Sequence, residues 1–204
     1  HARLVAGKTG YDIVVPGAHF AKMQIDGKLL LELDRSKLPN WKNLDPALLE
    51  KLAVADPGNK HLVNWLWGFV TVGINPDKVK KALGVLDSAS EVVPVAMLYA
   101  GKPGWSKNAK DYDAARDVLA KARPHITRIS SPGPINELAN GTLCVSLGYS
   151  GDFLIAGNRA ATNKTGQKIE ALIPPRGATL FMDSMAILKD AKNVENAHKF
   201  IDYI

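Results

Sequence analysis

Short β-branched runs alternate with amphipathic helical stretches along almost the whole chain, and the connections between them are short. That alternation constrains the fold more than any other feature, because strands interleaved with helices pack as a sheet covered by helices. Residues 2–6 read as a helix end turned by Gly7 to Gly10, and Tyr11-Asp-Ile-Val-Val15 reads as a strand closed by Pro16-Gly17. A short helix is expected from Phe20 to Ile25. Asp45 before Pro46 marks another helix start, since the carboxylate can accept a first-turn N–H and proline lacks only a bond that would go unmade there. Further strands are expected over 70–74, 126–129, 143–147, 169–173 and within 179–188. Helices are expected over 75–83, 91–99, 109–122, 135–139, 153–161 and 194–204. The resulting expectation is an α/β fold, and 204 residues are enough to bury a real core.

The net charge of +6 raises the question of nucleic acid. The basic residues are scattered, with Lys78, Lys80 and Lys81 the densest group, and no basic block alternates with aromatics to make a stacking platform. A solvated surface accounts for the charge, and no nucleic-acid partner is expected. No stretch approaches the roughly 20 apolar residues of a membrane span. Cys144 is the single cysteine, flanked by Leu143 and Val145, and reads as a buried thiol rather than a nucleophile.

Several motifs fail on inspection. Gly7-Lys-Thr9 lacks the glycine five residues upstream that a phosphate loop requires, and it leads into a strand instead of a helix. Gly148-Tyr-Ser-Gly151 is one residue short of a nucleophile elbow. The five histidines show no metal-ligand spacing, and each is expected to be a surface or lightly packed residue. Neither a metal nor a cofactor is expected.

Two acidic residues stand out from this background. Asp183 interrupts the apolar run from Ala178 to Leu188, where an unpaired carboxylate is costly to bury. If that run is a strand, Phe181 and Asp183 share one face. Asp152 follows the apolar run from Leu143, three residues after Tyr149. Two carboxylates, each with an aromatic nearby, suit a small organic cation. The plainer alternatives are a helix N-cap for Asp152 and an outward-facing edge-strand position for Asp183.

Four separated segments resemble the polyamine-binding periplasmic proteins of bacterial ABC importers. Ala6-Gly-Lys-Thr-Gly-Tyr-Asp-Ile-Val-Val-Pro16 is similar to the family's AGKSGYDVVVP, and Leu33 to Pro46 to its LDKSKLPNWKNLDP. Trp67 to Val79 follows WGTTGIGYNVDKV with changes, and Ile135 to Asp152 is similar to INDLANGDICVAIGWAGD. The resemblance implies a type II periplasmic-binding-protein fold of two lobes with a hinge, the first lobe incomplete here. The implied boundaries are 1–84 for part of lobe 1 and the first crossover, 85–186 for lobe 2, and 187–204 for a return helix. It further implies a monomeric, non-enzymatic receptor in the periplasm, exported by a signal peptide that this chain does not carry, which passes putrescine, spermidine or a similar amine to a membrane permease.

Carried over position by position, the implied ligand contacts are Asp152, Asp183, Tyr149, Phe181 and Glu91. The family usually reads Pro-Ser-x-Ser-Phe after its first strand, where this chain has Pro16-Gly-Ala-His-Phe20. Gly17 therefore replaces an expected serine and can contribute only backbone. The rival readings are a receptor for another small amine or solute on the same fold, and an enzyme using Asp152 or Asp183 as acid or base, for which no nucleophile or metal cluster accompanies them in the sequence.

Overall fold

The computed structural model describes residues 1–78, 82–130 and 134–204. In chain order the elements are α1 (Ala2–Ala6), β1 (Ile13–Val14), α2 (Ala18–Asp26), α3 (Pro46–Leu52), β2 (Val63–Ile74), β3 (Leu83–Val85), α4 (Ala89–Tyr99) and α5 (Asp111–Ala122). They continue as β4 (Ile126–Ile129), α6 (Ile135–Asn140), β5 (Val145–Tyr149), α7 (Ser150–Thr162), β6 (Glu170–Ala171), β7 (Thr179–Ile187) and α8 (Val194–Tyr203). The chain divides into two compact units, His1–Trp67 with Phe181–Ile204, and Gly68–Leu180. The junctions thus fall inside β2 and β7. The boundaries expected at 84/85 and 186/187 lie within β3 and near the end of β7.

In the first unit, β1 pairs antiparallel with β7, Ile13 opposite Ile187 and Val14 opposite Ala186. Side chains alternate along β7 and serve two apolar clusters. Met182, Ala186 and Leu188 pack with Ala21, Leu30, Leu52 and Leu62, whereas Met185 and Ile187 pack with Leu33, Leu38, Val63, Ala197 and Ile201. Burial on both faces explains why this stretch reads as an almost unbroken apolar run. The start of α3 is as the sequence predicts, with the Ala47 N–H donating to the Asp45 carboxylate at 2.8 Å.

Polar ties hold the ends of this unit together. Asp12 accepts from the Lys192 and Asn193 N–H groups and from the Asn193 side chain, fixing the turn before α8. His198 is buried, contrary to the surface position expected for it. Its Nδ1 lies 2.9 Å from the Val194 carbonyl, which places the proton on Nδ1, and its Nε2 accepts the Asp34 N–H. His61 is likewise committed, to the buried Asp56 carboxylate.

In the second unit, β5 is antiparallel to β2 and parallel to β3, which in turn is parallel to β4; β6 adds to β2. The helix expected over 75–83 is not present among the described residues. Asn75 instead opens a single 3₁₀ turn, Pro76–Lys78, and Leu83 belongs to β3. Pairing with two strands distant in sequence has overridden the local helical signal there. Val79 to Lys81 lie outside the described residues, and with them most of the basic group around Lys80. Phe153 of α7 packs with Leu138, Leu143 and Ala156. It also lies against two strand glycines: a Cβ would stand 2.2 Å from its ring at Gly73 and 2.9 Å at Gly148. Only glycine permits so close an approach, so α7 is seated directly on β2 and β5.

Candidate functional site

Asp183 sits in the middle of β7, where alternation sets Phe181 and Asp183 on one face and the buried Met182 and Ser184 on the other. The chain after β1 comes back against this point. Gly17 forms a bridge with Asp183, and the Ser184 N–H donates to the Pro16 carbonyl at 3.1 Å. Asp183 is therefore held on a strand bridged by the chain after β1, and it is half-buried. Gly17 is the N-cap of α2, and its carbonyl already accepts the Ala21 N–H. A Cβ there would stand 3.4 Å from the Asp183 Oδ1, an ordinary contact, so the position offers room where a hydroxyl would fit.

His19 is the second residue of α2, a position that no metal-ligand spacing in the sequence marks. The structure sets its charge against that of Asp183. Burial pushes the Asp183 carboxyl above the usual carboxylate value, and the nearby imidazole pulls it partly back.

The second acidic residue is positioned by different means. β5 ends at Tyr149, opposite Val70 of β2, and the chain turns directly into α7 with Tyr149 in the N-cap position. Tyr149 is half-buried there. Asp152 lies in the first turn of the helix and is not its N-cap, since α7 begins at Ser150, three residues earlier than expected. The helix N-terminus favours a negative charge at that point. Burial nevertheless pushes the Asp152 carboxyl above its ordinary value. Among the described residues, neither Asp152 nor Asp183 forms a salt bridge with a lysine or arginine, so each is a partly desolvated acid without a permanent cation beside it. Glu91 is half-buried in the first turn of α4, on a different element from Tyr149 and Asp152.

Other chemistry is not in evidence among the described residues. They hold no group of three or more His, Cys, Asp or Glu that could bind a metal, and Cys144 is buried as expected. None of their helices is long and apolar enough to cross a membrane.

Known proteins show the same combination of fold and sequence. Residues 73–204 match the model of the bacterial extracellular solute-binding protein family. The chain is 40% identical to the putrescine-binding periplasmic protein SpuD of Pseudomonas aeruginosa, over 100% of this chain and 62% of that protein. It is 39% identical to the putrescine-binding periplasmic protein PotF of Escherichia coli, over 99% of this chain and again 62% of the relative. The crystal structure of the spermidine/putrescine ABC transporter substrate-binding protein PotD from Streptococcus pneumoniae superposes with a TM-score of 0.79 at 25% identity, covering 99% of this chain and 65% of that one. The chain thus spans about three fifths of the length of the curated relatives it matches. On its α/β architecture and on these matches, the chain belongs to the family of bacterial extracellular solute-binding proteins.

Proposed function

We propose that this chain serves as the polyamine-capturing component of an ABC importer, taking up putrescine, spermidine or a similar amine in the periplasm and handing it to a membrane permease. The observation that carries the reading is that the carboxylates of Asp152 and Asp183 are both half-buried, that burial penalises their ionised forms, and that among the described residues neither forms a salt bridge with a lysine or arginine. Fixed anions of this kind gain most from a ligand that brings its own positive charge. Phe181 and Tyr149 supply the rings that cover methylenes and ammonium groups, and Glu91 is a third acidic contact. The two compact units correspond in this reading to the two lobes of the type II fold. The names of the relatives, all binding proteins, support capture without bond cleavage. The scattering of the basic residues supports a protein that works without nucleic acid, and we take it to act as a monomer.

The magnitudes suffice. A charge-assisted hydrogen bond contributes about 1.5–3 kcal/mol and a desolvated cation–π contact about 0.5–2 kcal/mol. Two such ends on one diamine reach micromolar binding. Calorimetric titration with putrescine, cadaverine, spermidine and a neutral amino acid is the test. Heat is expected from the amines alone. Asp152→Asn and Asp183→Asn are each expected to weaken binding by at least about tenfold, since the loss of one partner of a buried charge pair costs well over 1.4 kcal/mol. Unchanged affinity in both variants would remove these residues from the site.

A further inference from the structure

His19 is not used by the reading above, yet it stands beside the acid on which that reading depends. From the point where a Cβ on Gly17 would stand, the Asp183 Oδ1 is 3.4 Å away, and the His19 Nδ1 and Cε1 are each 3.9 Å away. Carboxylate and imidazole therefore crowd one spot beside the glycine. The Phe20 ring props the imidazole, with centroids 4.1 Å apart and planes tilted by 42°. His19 keeps access to solvent, so protons exchange with it freely.

We propose that His19 is a proton-operated regulator of amine binding: its neutral ring leaves Asp183 to an incoming ammonium group, and its imidazolium competes with that group for the carboxylate. The inference rests on the assignment of Asp183 as a counter-ion for the ligand. Of all side-chain types, only an imidazole changes charge in the range between mild acid and neutrality without large perturbation. The coupling acts in both directions. The Asp183 charge favours protonation of His19, and the His19 charge favours ionisation of Asp183, in each case against a larger opposing effect of burial. Burial wins at His19, which titrates below the ordinary imidazole value of 6.5.

On α2 itself, Lys22 and Asp26 pair with each other. His1 lines a hollow of about 260 Å³ together with Gly17 and Phe20. From β7, the charge of Asp183 bears on the His19 ring.

The sign follows from linkage. A cation beside Asp183 disfavours a second cation on His19, so binding expels the proton from any chain that carries it. Affinity therefore rises with pH through the His19 range and levels off above it. The ligand's amines, with values near that of lysine, stay charged throughout and add no slope of their own. In more acid solution the Asp183 carboxyl, held above its ordinary value by burial, takes up protons as well, and the His19→Asn variant separates that contribution from the imidazole's.

Putrescine is titrated calorimetrically into the chain at pH 8, 6.5 and 5, in two buffers of different ionisation enthalpy. Affinity is expected to fall by about tenfold from pH 8 to pH 5, with up to about one proton released per ligand in the acid range. His19→Asn should flatten the profile, and His19→Lys should give weak binding at every pH. Binding at pH 8 with a flat wild-type profile, or a His19→Asn profile as steep as the wild type's, sinks this proposal while the polyamine reading survives. No binding at pH 8 defeats both. In the ligand-free chain, the NMR titration of the His19 ring should move to lower pH in Asp183→Asn. A titration that stays in place overturns the coupling whatever the ligand.

Discussion

Asp183 and Asp152 are chemically alike and locally quite different. Asp183 is the midpoint of a strand buried on both faces, bridged by Gly17, and its nearest moderating charge is a titratable imidazole. Asp152 stands in the first turn of a helix seated on two glycines, where a permanent dipole moderates its charge. One acid is moderated by a group that pH can switch, the other by a group that pH cannot. The comparison shows how two partly desolvated acids in one chain can have different sensitivities to the medium.

The strongest way to break the comparison is to unseat the helical acid alone. Phe153→Ala removes the ring that rests on Gly73 and Gly148, at a cost of about 3–5 kcal/mol for a fully buried aromatic. A fall in melting temperature on the order of 10 °C is expected by calorimetry, with the His19 titration left where it was. A displaced His19 titration would mean that the two sites are not locally independent.

A smaller change sharpens the strand site. Gly17→Ser places a hydroxyl next to the Asp183 carboxylate at ordinary contact distance and adds a good N-cap to α2. Amine affinity should rise by about two- to tenfold, the effect of one added neutral hydrogen bond. An unchanged or weaker binding isotherm would show that the position does not face the ligand.

The smallest effect concerns the empty protein. Both carboxyls have folded-state values above the ordinary one, so the native chain binds more protons than the unfolded chain near those values. Stability contributed by these groups is consequently lost as pH rises through the folded values, and the deficit is complete at neutrality. Asp152→Asn and Asp183→Asn should then raise the melting temperature at pH 7 by about 1–2 °C each, because solvent screens these half-exposed groups. The gain should shrink as pH approaches 4. A melting temperature lowered by either substitution would show that a structural partner holds the acid in the ligand-free protein.

Much of this was legible in the residues themselves. The Asp45-Pro46 helix start, the strand holding Asp183, the neighbouring Phe181, the short helix after β1 and the order of alternating elements all rest on interactions within a few residues of each other. Such interactions are encoded locally, so spacing and side-chain type reveal them. The four motif segments also led correctly to the family.

What distance in sequence conceals was decided by tertiary structure alone. Leu83 closes an expected helix on local signals and instead begins β3, because β4 and β5, far along the chain, pair with that strand. His198 reads as a surface histidine and is buried because Asp34 and Val194 satisfy both ring nitrogens. His19 and Asp183 lie near opposite ends of the chain, and no spacing rule joins them; the pairing of β1 with β7 does. Local propensities determined which elements form and which acid lies in which, whereas long-range strand pairing determined which charges meet.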